Sequence, residues 1–312
     1  MTTTMVFIHG RGQEFKNPDD LRRTWLAGLT AGLIRAGRPG GVLDTIPLAF
    51  PFYGNVLYGL TADLARDPLE LESMPDGADE PAPLHPYLPK DVGSLEQHLL
   101  YDMTRAAGAG PQAGQGGGVE LEGMDQVLAE AGRRTLSWDV TRQALLALAR
   151  HTHVDQDYVS KHLRDVAVYL TRGREQILAT VREGIPATGS LVLVSHSLGT
   201  VVACDLLEDA GIRERTTLWV TAGSPLGLEA VQRNLRRPGP HAMGIDWLTA
   251  YDPQDIVALG HPLPTSSHPP GQPAWGDVQN TAVNNGDKAH AIDRYLAHPD
   301  VAQRIGTAAT RL

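Results

Sequence analysis

The chain has one cysteine, Cys204, in 312 residues, and a single thiol excludes an intramolecular disulfide framework. It is also short of positive charge: 27 Lys and Arg against 36 Asp and Glu leave a formal net charge of -9. Phosphate neutralisation needs clustered Lys and Arg, and no such cluster occurs, so nucleic acid is not an expected partner. No apolar run approaches the roughly 18 residues of a membrane-spanning helix. The opening "MTTTMVFIHG" has no basic segment ahead of an apolar one, so no secretory leader is read there and a cytoplasmic location is expected. There is no repeat of fixed period. What remains is a chain that is 42% hydrophobic, enough for one large domain or a domain with a sizeable insertion.

The first fifty residues read strand, helix, strand, the unit of a parallel sheet. Met5 to Ile8 form a short apolar run that stops at "HGRGQ", where glycines permit a tight turn. Asp19 and Asp20 then suit a helix start, and Leu21, Trp25, Leu29 and Leu33 recur every fourth residue down to Gly37. A second strand is expected around Leu43 to Ala49.

Regularity changes between 54 and 154. An acidic stretch holding Asp63, Asp67, Glu70, Glu72, Asp76, Asp79 and Glu80 leads into "EPAPLHPYLPKD". Leu95, Leu99 and Met103 mark a helix, 107–118 is a Gly-rich linker, and Val140 to Leu148 suit another helix. The expected organisation is a core of 1–53 and 155–312 with a mostly helical insertion at 54–154.

Core rhythm resumes with a long helix from Tyr158 to about Glu183, ended by Gly184 and Pro186. Leu191 to Val194 follow as a buried strand, then "SHSLGT" and a helix from Leu198 to Ala210, closed by Gly211. "TTLWVTAGSPLG" and "IDWLTAYDPQDIVA" each read as a strand with a loop at its carboxyl end, and "VQNTAVNNGDKAHAIDRYL" as a last strand feeding a final helix.

In an open parallel sheet, functional groups gather beyond the carboxyl ends of the strands. There the chain carries "HGRG", Ser197, Asp255 and His290. Small-x-Ser-x-small alone occurs about once by chance in a chain this rich in small residues, so the surrounding loops carry the argument. A serine hydroxyl is a weak nucleophile that needs a base within hydrogen-bond reach, and that base needs a carboxylate to hold its tautomer. His290 is the candidate base and Asp255 the candidate acid. The tetrahedral oxyanion needs preorganised N–H donors, for which the backbones of Leu198 and Arg11 are the candidates.

On "FIHGRG", "VLVSHSLGTVVACDLL", "TAGSPL", "YDPQDIVA" and "KAHAIDRYL", the chain resembles an α/β-hydrolase of the lipase and serine-esterase kind. The resemblance spans the segments before about residue 52 and after about residue 157; the insertion matches no familiar pattern. It implies an α/β fold, a doubly wound and mainly parallel six-stranded sheet, in which the first strand stands where the family has its third. Ser195 occupies the place where the family most often has Gly. The resemblance further implies a catalytic triad of Ser197, Asp255 and His290, no cofactor or metal, and a small-molecule or lipid acyl ester as substrate, with the insertion as a cap.

Rival residues stay in view. Asp252 lies three residues from Asp255, and Asp246 is more distant. His261, His268 and His298 compete with His290, the first two read as solvated loop histidines. His9 reads as a structural residue of the oxyanion loop, and His196 as one that packs or bonds to backbone. His151, His153 and Asp155 alternate as metal ligands on a strand would, but without a second ligand cluster. Cys204 reads as a buried small apolar residue, the run from 63 to 80 as a solvated acidic face, and Arg11 as a contact for an acidic head group or for solvent. The expected activity is hydrolysis of a carboxylic ester through an acyl-serine. Acyl transfer or thioester cleavage by the same triad is the alternative, and a non-catalytic binding module is the alternative of another class.

Overall fold

The computed structural model describes residues 2–62, 90–107, 156–267 and 273–310. The chain divides into two units, Met1–Leu57 with Gly173–Leu312, and Tyr58–Arg172.

The first unit is built on six strands: β1 Thr3–Ile8, β2 Leu48–Ala49, β3 Ser190–His196, β4 Thr216–Ala222, β5 Trp247–Tyr251 and β6 Gln279–Ala282. They form one open sheet in the order β2-β1-β3-β4-β5-β6, and every neighbouring pair is parallel. The chain is therefore of the α/β class, with the sheet parallel throughout. Strands covered on both faces read as near-continuous apolar runs, which is why "MVFI" and "LVLV" are legible as strands. The register sets Phe7 beside Val194, Val194 beside Val220, and Val220 beside Leu248. These alternate residues share one face, where they meet Trp25, Leu29 and Leu33 of helix Pro18–Arg35, Tyr295 and Leu296 of helix Ile292–Leu296, and Val301 and Ile305 of helix Pro299–Ala309.

The opposite face has a different composition. Trp219 and Trp247 stack with ring centroids 4.3 Å apart, and each indole N–H is satisfied by the strand before it. Trp219 Nε1 donates to Ser195 Oγ at 3.0 Å, and Trp247 Nε1 donates to Thr221 Oγ1 at 3.1 Å. Ser195 Oγ in turn donates to the Val220 carbonyl at 3.0 Å. Ser195 is thus the acceptor for a buried tryptophan, which a glycine there would leave unpaired.

Three element boundaries differ from those read in the sequence. The second strand is only Leu48–Ala49, because Gly40–Leu43 close into a 3-10 turn. The long helix is two α-helices, Gln156–Val168 and Arg174–Glu183, separated by a π-turn at Tyr169–Gly173. The helix after Ser197 ends at Leu206, and Gly211 lies inside a new helix, Ala210–Arg215. Asp209 starts that helix by accepting from the N–H groups of Gly211 and Ile212, the usual work of an N-cap carboxylate.

In the second unit, helices Lys90–Ala106 and Gln156–Val168 pack together, burying Leu95, Leu99 and Met103, and Val159, Leu163 and Val166. Glu96 lies 3.6 Å from Arg164, yet burial outweighs that neighbour and pushes its carboxyl up to about 7. The Gly-rich linker beyond residue 107, the helix expected at 140–148 and the acidic stretch at 63–80 lie outside the described residues.

Candidate active site

β3 ends at His196 and a helix begins at Leu198, leaving Ser197 alone to turn the chain. It does so with φ 56° and ψ -131°, a conformation that costs a residue with a Cβ on the order of 1–3 kcal/mol and persists only where its surroundings over-determine it. Those surroundings are identifiable. Ser197 N–H donates to the Ala222 carbonyl at 3.1 Å, and the Ser197 carbonyl accepts from both Thr200 N–H (2.9 Å) and Thr200 Oγ1 (2.7 Å). Thr200 Oγ1 also shares a hydrogen with Ser224 Oγ at 2.8 Å. On the other side, a Cβ built on Gly10 would stand 2.6 Å from Ser197 Cβ, so the loop after β1 reaches the serine only because residue 10 has no side chain. Ser197 Oγ is buried and has no hydrogen-bond partner among the described residues.

Asp255 and His290 come from the ends of β5 and β6. Asp255 sits in a turn closed by its own N–H on the Asp252 carbonyl, 2.9 Å, and by Ala258 N–H on its carbonyl, 3.0 Å. Its carboxylate accepts three hydrogen bonds: Val257 N–H on Oδ1 at 2.9 Å, and His290 Nδ1 and Tyr295 O–H on Oδ2, both at 2.8 Å. Burial pushes this carboxyl up, but the His290 charge and the three donors outweigh it and hold Asp255 below its ordinary value. With Nδ1–H committed to a carboxylate, the hydrogen-bond network assigns Nε2 as the acceptor of the His290 ring.

Two further residues bring the pair and the serine into one neighbourhood. The ring of His196, the residue before Ser197, lies 4.5 Å from the His290 ring, and its Nε2 is 2.9 Å from the His290 carbonyl. Burial first, and the nearby His290 second, lower His196 to about 3, so it is neutral and its Nε2–H is the donor. Gly223 follows Ala222, the acceptor of Ser197 N–H; a Cβ there would stand 2.7 Å from Asp255 Oδ2 and 3.0 Å from His290 Nδ1. Its φ of 54° also favours glycine. The structure thus pairs Asp255 with His290 directly, and His196 and Gly223 tie that pair to the turn at Ser197, which has no hydrogen bond to either.

Of the two oxyanion candidates, Leu198 is the first residue of its helix, where N–H groups lack an intrahelical acceptor. Arg11 follows Gly10 in the loop held against Ser197. His9 anchors that loop: its Nδ1 is 2.7 Å from the Gly10 carbonyl, its Nε2 accepts from Tyr53 N–H at 3.1 Å, and its ring stacks on Tyr53 at 4.1 Å. Burial lowers His9 to about 4, leaving it neutral and structural.

The rivals occupy other roles. Asp252 accepts from Gln254 N–H at 2.8 Å and from Asn285 N–H at 2.6 Å, so it ties the β5 turn to the loop that carries His290. Asp246 pairs with Arg304. His298 is the cap residue of the last helix, with Nε2 3.2 Å from the Asn284 carbonyl. His261 is not a solvated loop residue: it bonds Thr249 Oγ1 at 3.1 Å and the Ala258 carbonyl at 2.9 Å, and burial lowers it to about 4. Cys204 is buried, which pushes its thiol up. His268, His151, His153 and Asp155 lie outside the described residues. Sequence reasoning did not single out Tyr295, Gly223 or Asn285. Tyr295 had one signal, its place five residues after His290 in "HAIDRYL", and Gly223 had its place in "TAGSPL"; Asn285 had none.

Among the described residues, no group of three or more His, Cys, Asp or Glu is arranged to hold a metal ion, and no helix is long and apolar enough to cross a membrane. Comparison of the chain with protein-family models, with curated proteins and with solved structures finds no match.

Proposed function

We propose that this chain is a serine hydrolase of the α/β-hydrolase type that cleaves a carboxylic ester through an acyl-serine intermediate. The observation that carries the reading is the left-handed Ser197 at the end of β3, in one neighbourhood with a hydrogen-bonded His290–Asp255 pair from the ends of β5 and β6. A buried serine hydroxyl with no hydrogen-bond partner among the described residues, on a residue held in a costly conformation, is poorly explained by packing alone. The switch in strand order adds support: β2 and β3 flank β1 on opposite sides, and ligands of open α/β sheets bind beside such a reversal, where both "HGRG" and Ser197 emerge.

In the first step Ser197 Oγ attacks the ester carbonyl while its proton passes to His290 Nε2. Asp255 holds the ring by Nδ1 and stabilises the imidazolium. The oxyanion is taken by the N–H groups of Leu198 and Arg11. The C–O bond to the alcohol then breaks and His290 returns the proton to the leaving oxygen. Water, deprotonated by His290, cleaves the acyl-serine and restores Ser197. The substrate class is a small-molecule or lipid acyl ester, and no step calls for a cofactor.

The test is labelling of the folded chain by a fluorophosphonate together with turnover of a panel of esters graded by acyl length. Ser197→Ala and His290→Ala should each abolish nearly all turnover, and Ser197→Ala should abolish labelling. Labelling that persists in Ser197→Ala, or a folded wild type that neither labels nor turns over any ester, refutes the reading.

A further inference from the structure

We infer that Tyr295 is a positioning residue for the base, acting through Asp255; the inference rests on the triad proposed above. Tyr295 is fully buried, and its hydroxyl is held at both ends. It accepts from Asp252 N–H at 3.0 Å and donates to Asp255 Oδ2 at 2.8 Å, on the oxygen that also receives His290 Nδ1. Val257 N–H occupies the other oxygen at 2.9 Å. The three donors leave the carboxylate one orientation.

The arrangement has an electrostatic consequence. A hydrogen bond to an ionised carboxylate draws charge from the oxygen that accepts it. Tyr295 and His290 share Oδ2, so the phenol moderates how strongly Asp255 holds a proton on His290. A more basic carboxylate would keep His290 charged to higher pH and delay the point at which Nε2 can accept from Ser197. Tyr295 and His290 belong to one short segment, Tyr295 on helix Ile292–Leu296 and His290 just ahead of it, so one element sets both partners of the acid.

Fluorophosphonate labelling of Ser197 across pH, in wild type and Tyr295→Phe, tests this. The acid limb of the labelling rate should move up by about half a pH unit to one, and the plateau rate should fall several-fold as Asp255 gains freedom. In an Asp255→Asn background the same substitution should change the rate less than about two-fold, because the effect runs through the carboxylate. An unmoved acid limb, or an equal loss in both backgrounds, overturns the inference. Should Tyr295→Phe not fold, 2,3-difluorotyrosine placed at 295 keeps the ring and sharpens the donor, and the limb should then move down; no movement overturns the inference. A wild type that does not label refutes the triad instead. Tyr295 is then decided by the low-field proton resonance of His290 Nδ1–H, which Tyr295→Phe should displace and which an inert tyrosine would leave in place.

Discussion

Mild acid should destabilise this protein well above the pH at which carboxylates titrate. Burial lowers His9 to about 4, His196 to about 3 (with His290 adding to the effect) and His261 to about 4. In the unfolded chain all three regain the ordinary value near 6.5. As pH falls below about 6.5 the unfolded state takes up protons that the folded state refuses, so stability present above that pH is lost on the way down to about 4. Each such histidine is worth at most about 1.4 kcal/mol per pH unit. Three of them, titrating nearly fully in the unfolded chain, give a loss of about 3 kcal/mol between about pH 6 and pH 5. His261 is only partly shielded from solvent and contributes the smallest share of that sum. Glu96 runs the other way: held at about 7 in the second unit, it takes up its proton in the folded state first. If both units unfold together the net loss is therefore about 2 kcal/mol. The assay is urea unfolding at the two pH values, followed by near-UV circular dichroism of the stacked Trp219–Trp247 pair, which reports on the sheet. A midpoint that is unchanged or higher at the lower pH would refute the reasoning.

Substitutions at five positions test the site and its support. Gly223→Ala should cut turnover by about three orders of magnitude, close to the cost of losing the acid's role, because the new Cβ intrudes 2.7 Å from Asp255 Oδ2; turnover within about ten-fold of wild type would contradict it. Ser197→Gly should be inactive yet more stable than Ser197→Ala by about 1 kcal/mol, since glycine relieves the φ of 56° that alanine retains; equal thermal midpoints would mean the turn at Ser197 is not strained. Asp255→Asn should lower kcat by orders of magnitude, whereas Asp252→Asn should leave kcat nearly intact and lower stability by about 1 kcal/mol through its bond to Asn285; reversed kcat outcomes would exchange the two acids. Ser195→Gly should cost about 1–3 kcal/mol by orphaning the Trp219 indole N–H, measured as a drop in the unfolding midpoint, and no drop would mean that the indole finds another acceptor.

Where the sequence pattern was regular, it was readable. "MVFI" and "LVLV" are strands because a sheet covered on both faces demands unbroken apolar runs, and Trp25, Leu29 and Leu33 keep a helical period because only one side of Pro18–Arg35 meets the core. Boundaries set by side-chain hydrogen bonds were not readable. Asp209 starts a new helix where periodicity alone ran on to Gly211, and the turn at Gly40–Leu43 shortens the second strand to two residues.

By itself, then, the sequence determined the α/β alternation and the carboxyl-end loops, because hydrophobic period and glycine placement are local properties that the chain carries in any conformation. It also placed Ser197, Asp255 and His290 on such loops. Only the tertiary structure decided which carboxylate meets His290, since Asp252 and Asp255 differ by three residues in one turn and only three-dimensional packing sends one to the histidine and the other to Asn285. The tertiary structure likewise decided what Tyr295 and Gly223 are for. One hydroxyl reaches back across about forty residues to Asp255, and one missing Cβ leaves room for a hydrogen bond between residues on two other loops. Contacts of that kind depend on distances that no spacing along the chain records.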